Sequence, residues 1–124
     1  MKILRTPSEC FDNLKDYLFK ENYITIPIAD DVTARMHYVD ENSESSDVVL
    51  LLHGEPTWSY LYRHMIPILA KAGKRVIAPD LIGFGKSDKL SERTDYTYER
   101  HVAWTRNIIE QLNLSNITFF GQDW

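Results

Sequence analysis

From Tyr23 onward the apolar residues recur every second position: Ile24, Ile26 and Ile28 alternate with Thr25 and Pro27. That spacing predicts a strand, and Pro27, which has no N–H for a ladder, predicts that it lies at a sheet edge. Residues 29–31 read as a turn. Val32, Ala34, Met36 and Tyr38 then share one face, with Thr33, Arg35 and His37 on the other, so the pair reads as an antiparallel hairpin. Val48, Val49, Leu50, Leu51 and Leu52 show no alternation, as expected of a strand buried on both faces of a mostly parallel sheet. Residues 75–78 and 117–120 predict two further short strands. Residues 57–72 have a helical pattern interrupted by Pro67, which predicts two short helices with Pro67 in the first turn of the second. Gly73 is the natural stop. Thr97 caps the next helix, Glu99 suits its first turn, and Trp104, Ile108 and Leu112 form its apolar stripe. In residues 1–22, Phe11, Leu14 and Leu18 have roughly helical spacing, and an arm laid over the domain fits the same residues equally well.

The resulting order is hairpin, strand, helix, strand, helix, strand. It predicts an α/β fold with parallel strands joined by crossover helices. One partial core domain spans residues 1–124, divided into an arm (1–22) and a core (23–124). Ligand crevices of such sheets lie beyond the carboxyl ends of the strands. His53-Gly54-Glu55-Pro56, residues 80–88 and Gln122-Asp123-Trp124 all follow strand ends, so they are expected on one rim.

Composition narrows the partners. The 124 residues are 44% hydrophobic and 26% charged, with a net charge of -4, which describes a globular chain. No basic stripe is present, which argues against nucleic acid. The longest aliphatic run, five residues from Val48, is too short to cross a membrane. Residues 1–7 lack an apolar signal core. The single cysteine, Cys10, permits neither an intrachain disulfide nor a cysteine metal cluster, and a reducing, cytoplasmic location is expected.

Candidate chemistry sits in the loops. Gly85-Lys86-Ser87 matches the end of a phosphate-binding loop, but the position that needs the first glycine holds Asp80, whose charge repels phosphate. His53 is a candidate base, although its place at the foot of the Gly54 turn favours a turn-holding role. His37, His64 and His101 have no metal-ligand spacing, and no metal site is expected. Gly121-Gln122-Asp123-Trp124 has two readings: a surface turn built from ordinary turn residues, or the strand-to-helix elbow that presents a nucleophile, here Asp123. Trp124 is either a core aromatic or an indole N–H donor to an anion. Glu55 is either a solvated carboxylate or a residue whose backbone N–H faces developing charge.

The stretches HGEPTWSYLYRHMIPIL (from His53), VIAPDLIGFGKSDK (from Val76) and GQDW (from Gly121) resemble the haloalkane dehalogenases of the α/β-hydrolase superfamily, in the branch that carries His-Gly-Glu-Pro. Arg5-Thr6-Pro7 and Asn22-Tyr23 join the resemblance. It covers nearly the whole chain but only the front portion of a family member, without its cap. HGEPTWSYLYR is highly specific, whereas GFGKSD and an elbow aspartate are shared with other hydrolases.

The resemblance implies that Asp123 is the nucleophile, displacing halide to form an alkyl ester. It implies that the Trp124 indole binds the departing halide, that the Glu55 and Trp124 backbone N–H groups form the oxyanion hole, and that the Glu55 side chain helps hold the hydrolytic water. Water and haloalkane are the expected partners, no cofactor is needed, and the full-length protein is expected to be a monomer. The base histidine, its carboxylate partner and a cap tryptophan are expected after the elbow. An epoxide hydrolase is the alternative, disfavoured by Glu55 where that family usually has phenylalanine. A serine esterase is disfavoured by Asp123. A fragment that only binds is the non-enzymatic alternative, and the 124-residue polypeptide alone is expected not to turn over and to be poorly soluble.

Overall fold

The computed structural model describes residues 2–54 and 57–122. Its centre is a five-stranded sheet. A hairpin of β2 (Asn22–Ala29) and β3 (Val32–Glu41) is followed by β4 (Val48–Leu52), β5 (Arg75–Pro79) and β7 (Ile117–Gly121), in spatial order β2-β3-β5-β4-β7. The hairpin is antiparallel and joins the sheet by antiparallel pairing of Tyr38 with Pro79 through Glu41 with Val76. β4 runs parallel to both neighbours, with Val48 opposite Arg75 and Ile117. Pro27 lies on the edge strand as its missing N–H demands, and the register shifts between Pro27 and Ala29. The α/β architecture expected from the element order, a hairpin followed by parallel strands with crossover helices, is therefore present.

The unalternating strands do bury both faces. Val49 and Leu51 of β4 and Val76 and Ala78 of β5 pack on one side with Tyr17, Tyr62 and Ile66. Val48, Leu50 and Ile77 pack on the other with Leu112 and Ile109. On that second side Ile26, Ile28, Ala34 and Met36 of the hairpin meet Trp104 and Ile108. Each such side chain contributes about 1.5–3 kcal/mol by leaving water.

Two helices cover the faces. α1 (Met65–Lys71) follows a 3₁₀ turn at Ser59–Tyr62 and holds Pro67 in its first turn, where the missing N–H has no helical partner to lose. It stops at Gly73, φ +88°, where Lys74 N–H donates to Leu69 O and Gly73 N–H to Ala70 O. α2 (Tyr98–Gln111) is capped by the Thr97 side chain, which accepts from Arg100 N–H. It ends in the same manner on Asn113, φ +53°, with Leu114 N–H donating to Ile109 O.

Of the two readings left open for the N-terminal segment, the structure has the arm: a 3₁₀ turn at Ser8–Phe11 leads into an irregular stretch that buries Tyr17 and leaves Leu18 95% exposed. The Tyr17 ring gains aromatic neighbours Phe19, Trp58 and Tyr60, which a regular helix would not collect from this segment. His37, on the hairpin face opposite Met36, is also buried, 1% exposed, and pairs with a buried carboxylate. The arm also adds a small sheet that the pattern does not predict, β1 (Ile3–Leu4) antiparallel to β6 (Lys89–Leu90).

Candidate active site

The carboxyl ends of β4, β5 and β7 converge. Gln122 N–H donates to Leu52 O at 3.1 Å, and Leu81 N–H donates to His53 Nε2 at 2.9 Å, so all three strand-end segments are tied together. They form one wall of a cavity of about 1200 Å³ whose other wall is α2 and its approach, including Tyr96, His101 and Ile109. Gly83 and Phe84 also line it.

His53 is 1% exposed, and its ring geometry assigns the tautomer. Because Nε2 accepts from Leu81, Nδ1 carries the proton and donates to Gly54 O at 3.0 Å. Burial pushes its pKa below the ordinary histidine value against the opposing pull of Gly54 O and Asp80, so the ring is neutral. Gly54 O further accepts from Thr57 N–H (3.0 Å) and Thr57 Oγ1 (2.7 Å). Glu55, Asp123 and Trp124 themselves lie outside the described residues.

Beneath the rim lies a polar hub that no periodicity announces. Asp80 directly follows β5 and is fully buried. One carboxylate oxygen accepts from Ser59 N–H at 2.7 Å; the other accepts from Lys86 N–H at 3.0 Å and bonds His37 Nδ1 at 2.8 Å. Burial alone raises a carboxyl pKa, but the His37 hydrogen bond and charge and the two backbone donors outweigh it, and Asp80 titrates below its usual range. Ser87 Oγ bridges the same knot, donating to Asp80 O and accepting from His37 N–H at 2.8 Å. Lys86 N–H, which in a phosphate-binding loop would face the ligand, is thus taken by the protein's own carboxylate. His37 and Asp80 are 43 residues apart, so only a carboxylate placed directly after a buried strand hinted that a partner was required.

The N-terminal arm clamps this hub from outside. Arg5 makes a two-pronged ion pair with buried Asp88 at 2.6 and 2.9 Å, and Asp88 also accepts from Arg35 N–H. Tyr17 OH shares a 2.6 Å hydrogen bond with Ser59 Oγ. Lys86 Nζ pairs with Glu21 at 3.0 Å and lies over the rings of Phe11 and Tyr17. No group of three or more metal-ligating side chains occurs among the described residues, and no described helix is long and apolar enough to cross a membrane.

A sheet of this topology, with glycine-bearing turns gathered at its parallel strand ends, defines an α/β-hydrolase core. A family profile for the alpha/beta hydrolase fold matches residues 47–124, and the chain belongs to that family. A haloalkane dehalogenase of Psychrobacter cryohalolentis is 60% identical over the whole chain, which aligns with 41% of that protein. One of Mycolicibacterium paratuberculosis is 55% identical over the same span. The chain thus spans about 41% of the length of these curated relatives. Among solved structures, the tetrameric haloalkane dehalogenase of Paraglaciecola agarilytica superposes with a TM-score of 0.92 at 46% identity, covering 100% of this chain and 42% of its own. An epoxide hydrolase of Vigna radiata is more distant, with a TM-score of 0.74 and 28% identity over 85% of this chain and 31% of its own.

Proposed function

We propose that a protein carrying this chain at the relatives' full length is a haloalkane dehalogenase: it cleaves the carbon–halogen bond of a haloalkane with water, giving an alcohol and halide. The observation that carries the proposal is identity of 60% and 55% to haloalkane dehalogenases across all 124 residues, the His53-Gly54-Glu55-Pro56 turn included. Asp123 attacks the halogen-bearing carbon, the carbon–halogen bond breaks as the Asp123 ester forms, and halide leaves with the Trp124 indole N–H as donor. Water then attacks the ester carbonyl, and the Glu55 and Trp124 backbone N–H groups stabilise the oxyanion while the Glu55 side chain holds the water. His53, neutral and committed at both nitrogens, holds the Gly54 turn rather than acting as the base. The site uses water and haloalkane, with no metal or organic cofactor.

Halide release from 1,2-dibromoethane by the full-length protein tests the proposal. Turnover is expected in the native sequence and none in Asp123→Ala; conversion of styrene oxide without halide release from dibromoethane would favour an epoxide hydrolase, the reading supported by the Vigna radiata structure. The 124-residue polypeptide alone is expected to give no turnover. A cytoplasmic site of action fits the lone, exposed Cys10, and a role in haloalkane detoxification follows from the proposed reaction alone. The full-length protein is proposed to be a monomer, and the tetramer of the Paraglaciecola agarilytica relative makes its mass in solution the measurement to obtain.

A further inference from the structure

The turn that precedes and follows Glu55 is held at two points. On its N-terminal side His53 links Gly54 O to Leu81 N–H, and on its C-terminal side Ser59 N–H is bound by Asp80 Oδ1. Asp80 also reaches the loop after β5, through Lys86 N–H, and the hairpin, through His37. A Cβ on Gly85 would lie 2.6 Å from Asp80 Oδ2 and 2.8 Å from Trp58 Cβ, so loop and carboxylate are in direct contact. The carboxylate therefore accepts from three directions at once, and only an ionised group with two acceptor oxygens satisfies all three donors.

We infer that Asp80, oriented by His37, is a positioning residue for the second half of the reaction, holding the 53–59 turn so that its backbone donors meet the oxyanion formed when water attacks the Asp123 ester. The inference rests on the proposed dehalogenase function. The two half-reactions separate its consequences. Displacement of halide relies on Asp123 and Trp124, whereas the bonds Asp80 makes among the described residues go to Ser59, Lys86 and His37. Ester hydrolysis relies on the turn. An amide at position 80 presents an NH₂ toward at least one of Ser59 N–H, Lys86 N–H and His37 Nδ1, and that donor facing a donor displaces the segment it meets.

Rapid-mixing halide release from 1,2-dibromoethane, followed by steady-state turnover, tests this in the full-length protein. Asp80→Asn is expected to keep a halide burst near one equivalent per site while the steady-state rate falls about 100-fold or more, the scale of losing one preorganised oxyanion donor. The alkylated enzyme is expected to accumulate and to be visible by mass. His37→Leu is expected to show the same split more weakly, and His37→Asn, which keeps a donor to Asp80, to restore turnover. Equal loss of burst and turnover in folded Asp80→Asn, or no change in either, would overturn the inference. Should Asp80→Asn not fold, the His37 pair decides: burst kept, turnover lowered in His37→Leu and recovered in His37→Asn supports it, and identical behaviour of the two variants refutes it. A native full-length protein that releases no halide from 1,2-dibromoethane contradicts the dehalogenase reading itself, whatever the variants do.

Discussion

Gly85 and Gly73 both have positive φ, +54° and +88°, yet they are occupied by glycine for different reasons. A Cβ at Gly73 meets nothing within 4 Å, so Gly73→Ala costs only the backbone strain, about 1 kcal/mol. At Gly85 the same Cβ enters the Asp80 carboxylate and Trp58, and Gly85→Ala is expected to cost about 3 kcal/mol or more. Urea unfolding of the two variants at the relatives' full length checks the difference; equal midpoints would contradict it. Asp88 supplies a second test at this scale. Burial raises its carboxyl pKa, but the Arg5 hydrogen bond, Arg35 N–H and the two guanidinium charges more than offset that, leaving it below its usual value. A carboxyl depressed in the folded state adds stability above its unfolded pKa of about 3.9 and loses it as pH falls through the folded value. Native protein is therefore expected to weaken below about pH 4, and Arg5→Gln, which removes the largest favourable contact, to begin unfolding at a higher pH on acid titration.

At the scale of elements, α2 shows how local signals and packing divide the work. Its start is set by Thr97 Oγ1 accepting from Arg100 N–H, and its stripe by Trp104 and Ile108, which are 3% and 0% exposed. Thr97→Ala is expected to cost about 1 kcal/mol, because the orphan N–H falls back on water, whereas Trp104→Ala is expected to cost about 3–5 kcal/mol through the cavity it leaves. Thermal melts of both variants measure the ratio. Cap and stripe were readable from residue type and spacing because both act within a few turns of helix. For the N-terminal segment, spacing left a helix and an arm equally open. Phe11, Leu14 and Leu18 keep helical spacing, but Tyr17 buries itself among Trp58, Tyr60 and Phe19 instead, and contacts with residues more than forty positions away override the local pattern.

At the scale of the 124-residue chain, β7 lies at the sheet edge among the described residues, with Phe119 and Phe120 58% and 49% exposed and no charge between Ile117 and Gly121. An uncharged edge rich in β-branched and aromatic residues templates pairing with other chains. The isolated 124-residue polypeptide is expected to self-associate, and Thr118→Lys to reduce light scattering at equal concentration; a monodisperse native monomer would contradict this.

Much of this protein is legible one residue at a time. Strand alternation, the run from Val48 to Leu52, the Thr97 cap, the stop at Gly73 and the Pro27 edge depend on contacts within a segment or on burial of a whole face, and spacing along the chain records both. The motifs around His53 and Gly121 likewise identified the hydrolase family without coordinates. What only the tertiary structure decided is how distant segments meet: the hairpin beside β5, the arm clamped by Arg5, Tyr17 and Glu21, and the His37–Asp80 pair beneath the rim. Hydrogen bonds and ion pairs have no period in sequence. A buried carboxylate announces that it needs partners, and only the fold says which ones it finds.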